Sequence, residues 1–260
     1  MRDVKDIVIK AKQEWICMKK TEVCSFIVEG NIGAGKSTFL QLIKELVDAQ
    51  IVYEPCDKWQ RVAGTDENLL EKFYSDTPRW AYTFQTYAFV SRLLEQSKKA
   101  VDNCQGIQIL ERSVFSDRYC FAQNAYEAGL MSSLEWALYK EWFNWLVDQY
   151  VPRPSGFIYL KTDPEVCHKR LLKRGRHEEK VVSFDYLQSL HNRHESWLIQ
   201  KNDVAHYVKN TPVLVLDCNP EFETDSVQLQ KHVETIAEFI ASQMMVHGIG
   251  TSYTCFEKSF

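Results

Sequence analysis

The sequence predicts an α/β fold in which a five-stranded parallel sheet is flanked by helices. The first observation is a set of five short apolar runs, CSFIVE 24–29, IVYE 51–54, IQILE 107–111, FIYLK 157–161 and VLVLD 213–217. Each run is apolar at successive positions, which is typical of strands covered on both faces. The second observation is helix-like periodicity between the runs, and such alternation forms parallel sheets through right-handed crossovers.

The composition favours a single soluble domain. With 260 residues and 45% hydrophobic content, the chain can bury a sizeable core. The formal net charge of −4 leaves no excess of Lys and Arg for a broad nucleic-acid footprint. No apolar stretch approaches the roughly 20 residues that a membrane-spanning helix needs. We therefore expect neither nucleic acid nor membrane among the partners.

The ends of the chain differ in character from its centre. We assign residues 1–23 to an N-terminal extension, 24–245 to one domain, and 246–260 to a weakly ordered C-terminal tail. The first 22 residues carry four acids and no continuous apolar core, unlike a secretory signal or an acid-poor transit peptide. The cytoplasm is the predicted location, and a mitochondrial address stays open as an alternative.

The cysteines predict no disulfide or metal framework. They stand at positions 17, 24, 56, 104, 120, 167, 218 and 255, without a C-x-x-C pair or metal-ligand spacing. Several lie in or beside apolar runs, where cysteine behaves as a small buried hydrophobe. We expect reduced thiols in an intracellular compartment.

The first strand leads into a glycine-rich stretch, VEGNIGAGKSTF, at residues 28–39. Gly30, four residues and then Gly35-Lys36-Ser37 match the Walker A pattern between a strand and a helix. Glycines let backbone N–H groups surround phosphate oxygens, Lys36 can span the β- and γ-phosphates, and Ser37 can bind Mg²⁺. A tightly packed glycine turn is the alternative. The predicted phosphate-binding residues are Gly30, Asn31, Ile32, Gly33, Ala34, Gly35, Lys36, Ser37 and Thr38.

Three of the predicted strands end in an acid that could face the phosphates. Glu29 leads into the glycine-rich stretch, Glu54 precedes Pro55, and Glu111 precedes Arg112. Ligands of open α/β sheets bind beyond the carboxyl edge, where these acids would lie. Phosphoryl transfer needs one carboxylate to take the proton of an attacking hydroxyl and another to hold a metal. Glu54 and Glu111 are candidates for these roles, and a solvated or capping glutamate is the alternative for each alone. The guanine-reading N-K-x-D sequence is absent, which counts against a switch GTPase.

Helical segments follow the strands. After the glycines, apolar residues recur at helical spacing at Phe39, Leu40, Ile43, Leu46 and Val47. The segment TPRWAYTFQTYAFVSRLLEQSKK begins with Thr77 as the predicted N-cap and Pro78 at the first helical position. The segment SSLEWALYKEWFNWLVDQY opens with Ser132 and Glu135 at capping-box spacing.

The helix after Pro78 carries a polar stripe suited to a nucleobase. Gln85, Ala88 and Arg92 fall within a stripe about 60° wide, and Phe84 lies next to it. A side-chain amide can donate and accept along one base edge while the ring stacks. A polar stripe on an exposed helix is the alternative.

A basic segment, CHKRLLKRGRHEE at 167–179, has the composition of a mobile lid. Arg170 and Arg174 lie four residues apart on one helix face, and Arg176 follows the hinge-like Gly175. Such a segment can close over a triphosphate and stabilise the transferring group. A basic solvated helix face is the alternative.

From about residue 24 to 240 the sequence resembles the cellular deoxynucleoside kinases of the deoxycytidine/deoxyguanosine kinase type. The motifs that carry the resemblance are EGNIGAGKSTF, EPCDKW, RWAYTFQTYAFVSR, ERSVFSDRY, KRLLKRGRHEE and HESWL. The resemblance implies a P-loop kinase fold with an arginine-rich lid. The implied reaction is transfer of phosphate from ATP or another NTP, with Mg²⁺, to the 5′-hydroxyl of a 2′-deoxynucleoside in nucleotide salvage.

The resemblance also implies roles for particular residues. Glu54 would be the general base, Arg112 would assist at the hydroxyl and the phosphates, and Ser37 and Glu111 would hold Mg²⁺. The implied catalytic residues are Lys36, Glu54, Arg112, Arg170, Arg174 and Arg176. Glu221 and Phe222 would contact the donor base. The implied substrate-binding residues are Glu54, Trp59, Tyr74, Phe84, Gln85, Ala88, Arg92, Arg112, Asp117, Phe121 and Glu179.

The sugar and base preferences follow from the same resemblance. Tyr74 and Glu179 would grip the sugar 3′-hydroxyl, and the ring of Tyr74 would leave no room for a ribose 2′-hydroxyl. Arg92 and Asp117 beside Ala88 resemble the forms that accept deoxycytidine and purine deoxynucleosides rather than thymidine. The two side chains can pair and fill the region that a thymine methyl group would enter. The sequence leaves open the preferred base among cytosine, adenine and guanine.

The remaining expectations concern assembly and competing functions. The aromatic-rich helix 132–150 carries more large rings than one buried stripe needs, and the family pairs through this region, so we expect a homodimer. A nucleoside monophosphate kinase is the first alternative, and Glu54 disfavours it because an anionic acceptor would need an arginine there. A non-catalytic nucleotide-binding protein is the second, and Lys36, Glu54 and Glu111 disfavour it.

Overall fold

Parallel strands form the central sheet of the protein. The computed structural model describes residues 23–44, 47, 49–102 and 106–250. The strands of this part are β1 (Val23–Glu29), β2 (Gln50–Val52), β3 (Gly106–Glu111), β4 (Gly156–Lys161) and β5 (Val213–Asp217). They pair in parallel in the order β2-β3-β1-β4-β5. The predicted fold class is confirmed, and β2 ends two residues earlier than the sequence suggested, at Val52 rather than Glu54.

Helices cover both faces of the sheet. They are α1 (Lys36–Ile43), α2 (Cys56–Gln60), α3 (Leu69–Ser75), α4 (Thr77–Asp102), α5 (Val114–Ser116), α6 (Gln123–Glu127), α7 (Ser133–Tyr150), α8 (Pro164–Arg174), α9 (Phe184–His194), α10 (His206–Asn210) and α11 (Ser226–Gly250). π-Helical turns at Asp117–Ala122 and Glu195–Ile199 join α5 to α6 and extend α9. Short 3₁₀ turns occupy Val62–Gly64 and His177–Val181.

The successive apolar residues of β1 supply two separate cores. Phe26 and Val28 pack into a cluster with residues of α1 and α11, whereas Ile27 packs into a second cluster on the opposite face. The second cluster draws on α4, α7 and α9. Because neighbouring residues of a strand point to opposite faces, a strand buried on both sides must be apolar throughout.

Local hydrogen bonds fix the starts of two long helices. The capping box predicted at α7 is confirmed, since the Glu135 N–H donates to Ser132 Oγ at 3.2 Å and the Ser132 N–H donates to Glu135 Oε2 at 2.8 Å. The predicted N-cap of α4 is wrong by one residue. Thr77 is already helical, and the carboxylate of Asp76 accepts the Arg79 N–H at 3.3 Å. A carboxylate at the N-cap satisfies an otherwise unpaired donor of the first turn.

Some predictions fall outside the described residues or meet a different boundary. Several predicted features lie outside the described residues. These are the N-terminal extension up to residue 22, Leu46, the cysteines at 17, 104 and 255, and residues 251–260. Helix α11 continues to Gly250, so the boundary predicted between 245 and 246 falls inside a helix. Across the described ranges, none of the helices combines the length and apolar character needed to cross a membrane.

Candidate active site

A cavity of about 400 Å³ lies at the carboxyl edge of the sheet, within the range of roughly 300–1,000 Å³ that is usual for small-molecule sites. It brings together most of the residues that the sequence predicted from separate motifs. The predicted residues that line it are Ile32, Gly33, Gly35, Lys36, Ser37, Thr38, Glu54, Trp59, Tyr74, Phe84, Gln85, Ala88, Arg92, Glu111, Arg112, Asp117, Phe121, Arg174, Arg176 and Glu179.

The glycine-rich stretch is a tight loop against its neighbours. Gly33 has a φ of 80°, and a Cβ there would lie 2.3 Å from the carbonyl oxygen of Cys167. Asn31 anchors the loop, because its side-chain amide donates to the Leu187 carbonyl at 2.8 Å and its Oδ1 accepts the Ile32 N–H at 2.8 Å. Asn31 therefore supports the loop from behind, and neither it nor Gly30 nor Ala34 lines the cavity.

Lys36 lies at the base of this loop with its ammonium group turned toward backbone oxygens. Its Nζ donates to the carbonyls of Gly30 at 3.0 Å and Asn31 at 2.7 Å. Burial, reinforced by the charge of Arg112, lowers the pKa of Lys36 to about 7. An anionic phosphate beside it would favour the charged form, so the site is suited to a polyanionic ligand.

The cluster around Glu54 is the electrostatic centre of the cavity. Arg92 Nη2 donates to Glu54 Oε1 at 2.9 Å, and Arg112 Nη1 lies 3.1 and 3.2 Å from the two carboxylate oxygens. Burial alone would raise the pKa of Glu54, but the charges of Arg112, Arg92 and Lys36 overcome it and lower that pKa to about 2. Glu54 is therefore an ionised acceptor at neutral pH.

Arg92 has a second partner in the cavity, the carboxylate of Asp117. Its Nε and Nη2 donate to the two carboxylate oxygens of Asp117 at 2.9 and 3.0 Å. The predicted pairing of Arg92 with Asp117 is present in the structure. This bidentate geometry fixes the direction of the guanidinium group, which reaches Glu54 with the same Nη2 atom.

Ser37, just after the glycine-rich loop, lies against Glu111. The hydroxyl of Ser37 donates to Glu111 Oε1 at 2.5 Å, and Glu111 Oε2 accepts the Glu54 N–H at 3.5 Å. Hydroxyl and carboxylate oxygens are ligands that Mg²⁺ prefers, and this ion usually takes one or two protein ligands beside phosphates and water. The pair fits that ion. Elsewhere in the described chain, no cluster of three or more His, Cys, Asp or Glu residues suits a metal.

Aromatic rings form the wall opposite the polar groups. Phe84 stacks on Phe73 with ring centroids 4.6 Å apart and meets Trp59 edge-on at 5.6 Å. Trp59 is held in turn by a hydrogen bond of 2.8 Å from its indole to the hydroxyl of Ser91. Gln85 and Ala88 of α4 line the same chamber. Phe89, the next residue, faces away and packs on Tyr139 of α7 at 6.1 Å.

Residues of the predicted lid are held together by an ion pair. Arg174 donates to Glu179 through Nε at 3.1 Å and through Nη2 at 2.6 and 2.7 Å. Arg176 approaches the same carboxylate at 3.6 Å. Gly175, between the two arginines, ends α8 with a left-handed φ of 65°, which is the conformation expected of a helix-ending glycine.

Arg170, the third predicted lid arginine, lies outside the cavity lining. Its Nη1 donates to the carbonyl of Cys218 at 2.9 Å, and its guanidinium lies 5.6 Å from the ring centre of Phe222. Phe222 in turn packs under the phosphate loop, because a Cβ on Gly35 would lie 2.8 Å from its ring. Glu221 is exposed next to it. The catalytic role of Arg170 and the donor-base role of Glu221 and Phe222 stay predictions.

The cavity also includes residues that the sequence reasoning missed. These are Gln41, Tyr53, Cys56, Leu70, Phe73 and Tyr186. Tyr53 and Cys56 flank Glu54 and Pro55, so proximity to the strand end could have indicated them. Tyr186 belongs to the amphipathic helix α9, where the sequence pattern does not distinguish a cavity residue from a core residue.

The glycine-rich loop and the ionised carboxylate of Glu54 share one cavity with an aromatic wall, an arrangement that suits phosphoryl transfer to an acceptor bound beside the rings. Comparison with known proteins then identifies the family. The family model named deoxynucleoside kinase matches residues 26–241. The chain belongs to the deoxynucleoside kinase family, and it is a kinase that uses a nucleotide phosphate donor and acts on nucleosides.

Curated relatives are similar over most of their length. The chain is 39% identical to deoxycytidine kinase 2 of Gallus gallus over 237 residues, which are 83% of this chain and 89% of the relative. It is 38% identical to mitochondrial deoxyguanosine kinase of Xenopus laevis over 243 residues, 86% of this chain and 92% of the relative. It is 37% identical to deoxycytidine kinase of Homo sapiens over 244 residues, 85% of this chain and 93% of the relative.

Proposed function

We propose that the protein transfers the γ-phosphate of ATP or another NTP to the 5′-hydroxyl of a 2′-deoxynucleoside. Deoxycytidine and purine deoxynucleosides are the proposed acceptors, in preference to thymidine. One observation carries the proposal: the ionised Glu54 lies in the same cavity as the phosphate loop and between Arg92 and Arg112. A carboxylate so placed suits a neutral hydroxyl acceptor and repels a phosphate, which disfavours a nucleoside monophosphate kinase.

In the proposed mechanism, residues of this chain take the proton of the 5′-hydroxyl and stabilise the negative charge of the transferring phosphoryl group. Glu54 accepts the proton of the 5′-hydroxyl as the 5′-oxygen bonds to the γ-phosphorus, and the bond from that phosphorus to the β–γ bridging oxygen breaks, which releases the nucleoside diphosphate. Lys36 and Arg112 stabilise the negative charge on the transferring group, with Arg174 and Arg176 near enough to contribute from the lid. Ser37 and Glu111 would hold Mg²⁺, which offsets the charge of the donor phosphates when bound.

The proposed base preference depends on the pair formed by Arg92 and Asp117. This pair fills the region next to Ala88 and presents both donors and an acceptor to a base edge. A thymine methyl group would have to enter that filled region. The names of the relatives, which include deoxycytidine and deoxyguanosine kinases, support a preference of this kind.

We expect turnover of thymidine to be at least about tenfold below that of deoxycytidine, since a misfitting methyl group costs roughly 10–200-fold in such pockets. The measurement is kcat/KM with labelled ATP and Mg²⁺ for four deoxynucleosides and their ribose counterparts. Deoxyuridine and 5-methyldeoxycytidine separate the methyl group from the base edge. Comparable kcat/KM for thymidine and deoxycytidine would overturn the base preference, and equal use of ribonucleosides would overturn the role of Tyr74.

We also propose a homodimer that forms through helix α7. Leu134, Leu138, Trp142 and Trp145 lie on one face of this helix, and their exposed fractions range from 38% to 68%. Contiguous apolar patches of this kind on a folded surface usually mark subunit contacts. The cytoplasmic location predicted from the sequence stays a prediction.

Replacement of both Leu138 and Trp142 by glutamate is expected to yield a monomer at micromolar concentration, because two charges would be buried in the contact. Sedimentation analysis should give twice the chain mass of 30.4 kDa for the parent and the single mass for the variant. Val227→Glu places the same charge at another exposed apolar position, on α11, and should remain dimeric. A parent protein that sediments as a monomer contradicts the proposal.

A further inference from the structure

A fully buried carboxylate that the proposed reaction does not use lies behind the active site. Glu29 is the last residue of β1, directly before Gly30, and none of its surface is exposed. Its Oε1 accepts hydrogen bonds from the hydroxyls of Ser113 at 2.9 Å and Ser116 at 3.0 Å. Its Oε2 has no hydrogen-bond partner among the described residues. A buried carboxylate without full pairing is costly, so its presence calls for a role.

The two serines belong to the turn that presents Arg112. Ser113 caps α5 by accepting the Phe115 N–H at 3.2 Å, and the Ser113 N–H donates to Ser116 Oγ at 2.9 Å. Arg112 itself has a left-handed φ of 58°, which is unfavourable for a residue with a long side chain. The contacts of Glu29 therefore connect the end of β1 to a strained turn after β3.

The Arg112 guanidinium lies beside the residue that follows Glu29, because its Nη2 donates to the Gly30 carbonyl at 3.2 Å. Arg112 uses its Nη groups on Glu54 and on the Gly30 carbonyl, whereas its buried Nε has no hydrogen-bond partner in the described part of the chain. The charges of Arg112 and Arg92 act on Glu29, and the charge of Glu29 in turn acts on the buried thiol of Cys120. Burial raises the pKa of Glu29 to about 7, against the pull of these arginines.

We propose that Glu29 is a positioning residue for phosphoryl transfer. Its carboxylate holds the turn at Ser113 and Ser116, and its charge keeps the Arg112 guanidinium in place when substrate engages Glu54. The inference rests on the function proposed above and deepens it, because it names a residue that acts on the reaction through Arg112. Glu29 itself does not line the cavity.

The test is Glu29→Gln, which keeps the shape and one acceptor oxygen for the serine hydroxyls. We expect kcat to fall about tenfold, the lower end of what loss of an outer carboxylate costs an active site. Deoxynucleoside affinity, measured by calorimetry, should stay within about threefold because the aromatic wall is untouched. A purely structural role through hydrogen bonds would leave kcat near the parent value.

The pH profile supplies a readout that a structural role would not move. The parent kcat should decline as the pH falls through about 7, because protonation removes the charge of Glu29. The Glu29→Gln enzyme should lack this decline. In an Arg112→Lys background, Glu29→Gln should change kcat by less than about twofold, because residues that act as a unit are not additive.

Control variants separate this effect from general damage. Thr162→Val removes another buried, unpartnered hydroxyl, at the carboxyl end of the neighbouring strand β4, and should retain the parent kcat. Ser116→Ala removes one hydrogen bond to Glu29 and should lower kcat by a smaller factor. It tests the same inference if Glu29→Gln does not fold. The inference is wrong if the Glu29→Gln enzyme keeps kcat within twofold of the parent value. It is also wrong if nucleoside affinity falls by the same factor as kcat, or if Glu29→Gln lowers kcat in the Arg112→Lys background as much as it does in the parent. An inactive parent enzyme would instead refute the proposed function.

Discussion

Replacement of Glu54 by glutamine is expected to lower turnover by about two to four orders of magnitude, the usual contribution of a general base. Deoxynucleoside binding should persist. Glutamine has nearly the same shape but cannot take the proton, and the pair of Arg92 with Asp117 remains to hold the base side of the cavity. The expected result is therefore a fall in kcat with little change in the dissociation constant of the nucleoside.

Single-turnover kinetics and calorimetry measure these two quantities separately. Asp57→Asn provides the control, because it removes an acidic charge from an exposed side chain three residues away, outside the cavity. Near-normal turnover by the Glu54→Gln enzyme would remove Glu54 from the mechanism. A parallel loss of binding and turnover would assign Glu54 to the placement of the two arginines instead.

Substitution of Gly33 by alanine is expected to reduce donor affinity by about 100-fold or more, since the loss of one or two backbone hydrogen bonds to a charged phosphate costs about 1.5–3 kcal/mol each. A Cβ at this position would lie 2.3 Å from the Cys167 carbonyl oxygen, so the phosphate loop or α8 must move. Backbone atoms cannot rotate away as a flexible side chain does. The N–H groups that surround the phosphates would then lose their arrangement.

Gly64→Ala is the matched control for Gly33→Ala. Gly64 has a φ of 76°, close to the 80° of Gly33, but a Cβ added at Gly64 would meet no atom within 4 Å. The control should carry the backbone cost of about 1–2 kcal/mol, a fall of about 2–8 °C in Tm, without loss of donor affinity. Thermal melts and titration with a non-hydrolysable ATP analogue measure both effects. Equal donor affinities for the two variants would contradict the steric argument.

The sequence predicted the sheet well because strands buried on both faces have a clear apolar signature. It also predicted the acids that follow β2 and end β3, since a parallel sheet brings its carboxyl ends to one edge. Apart from the pair of Arg92 with Asp117, it could not predict which partner each charge selects. The pairing of Arg174 with Glu179 and the turn of Arg170 toward Cys218 depend on side-chain directions that spacing alone does not encode.

The other misses have similar physical causes. In the sequence pattern, Tyr186 looks like one more apolar residue of an amphipathic helix. Only the packing of α9 shows that it reaches the cavity. Glu29 reads as an acid at a strand end, like Glu54, yet it is enclosed by the turn after β3. Whether a strand-end acid meets solvent, substrate or protein is decided by the segments that cover it.

The π-helical turn Asp117–Ala122 limits how this region can change in length. Such a turn equals an α-helix with one inserted residue, and it carries both Asp117 and Phe121 to the cavity. Deleting one residue inside the turn would restore the α-helix with its flanks in register, but the side chains within the turn would lose their present directions toward the cavity. We therefore expect insertions and deletions to be rare in this turn and to occur in surface loops instead. Relatives should keep the same number of residues between Arg112 and Phe121.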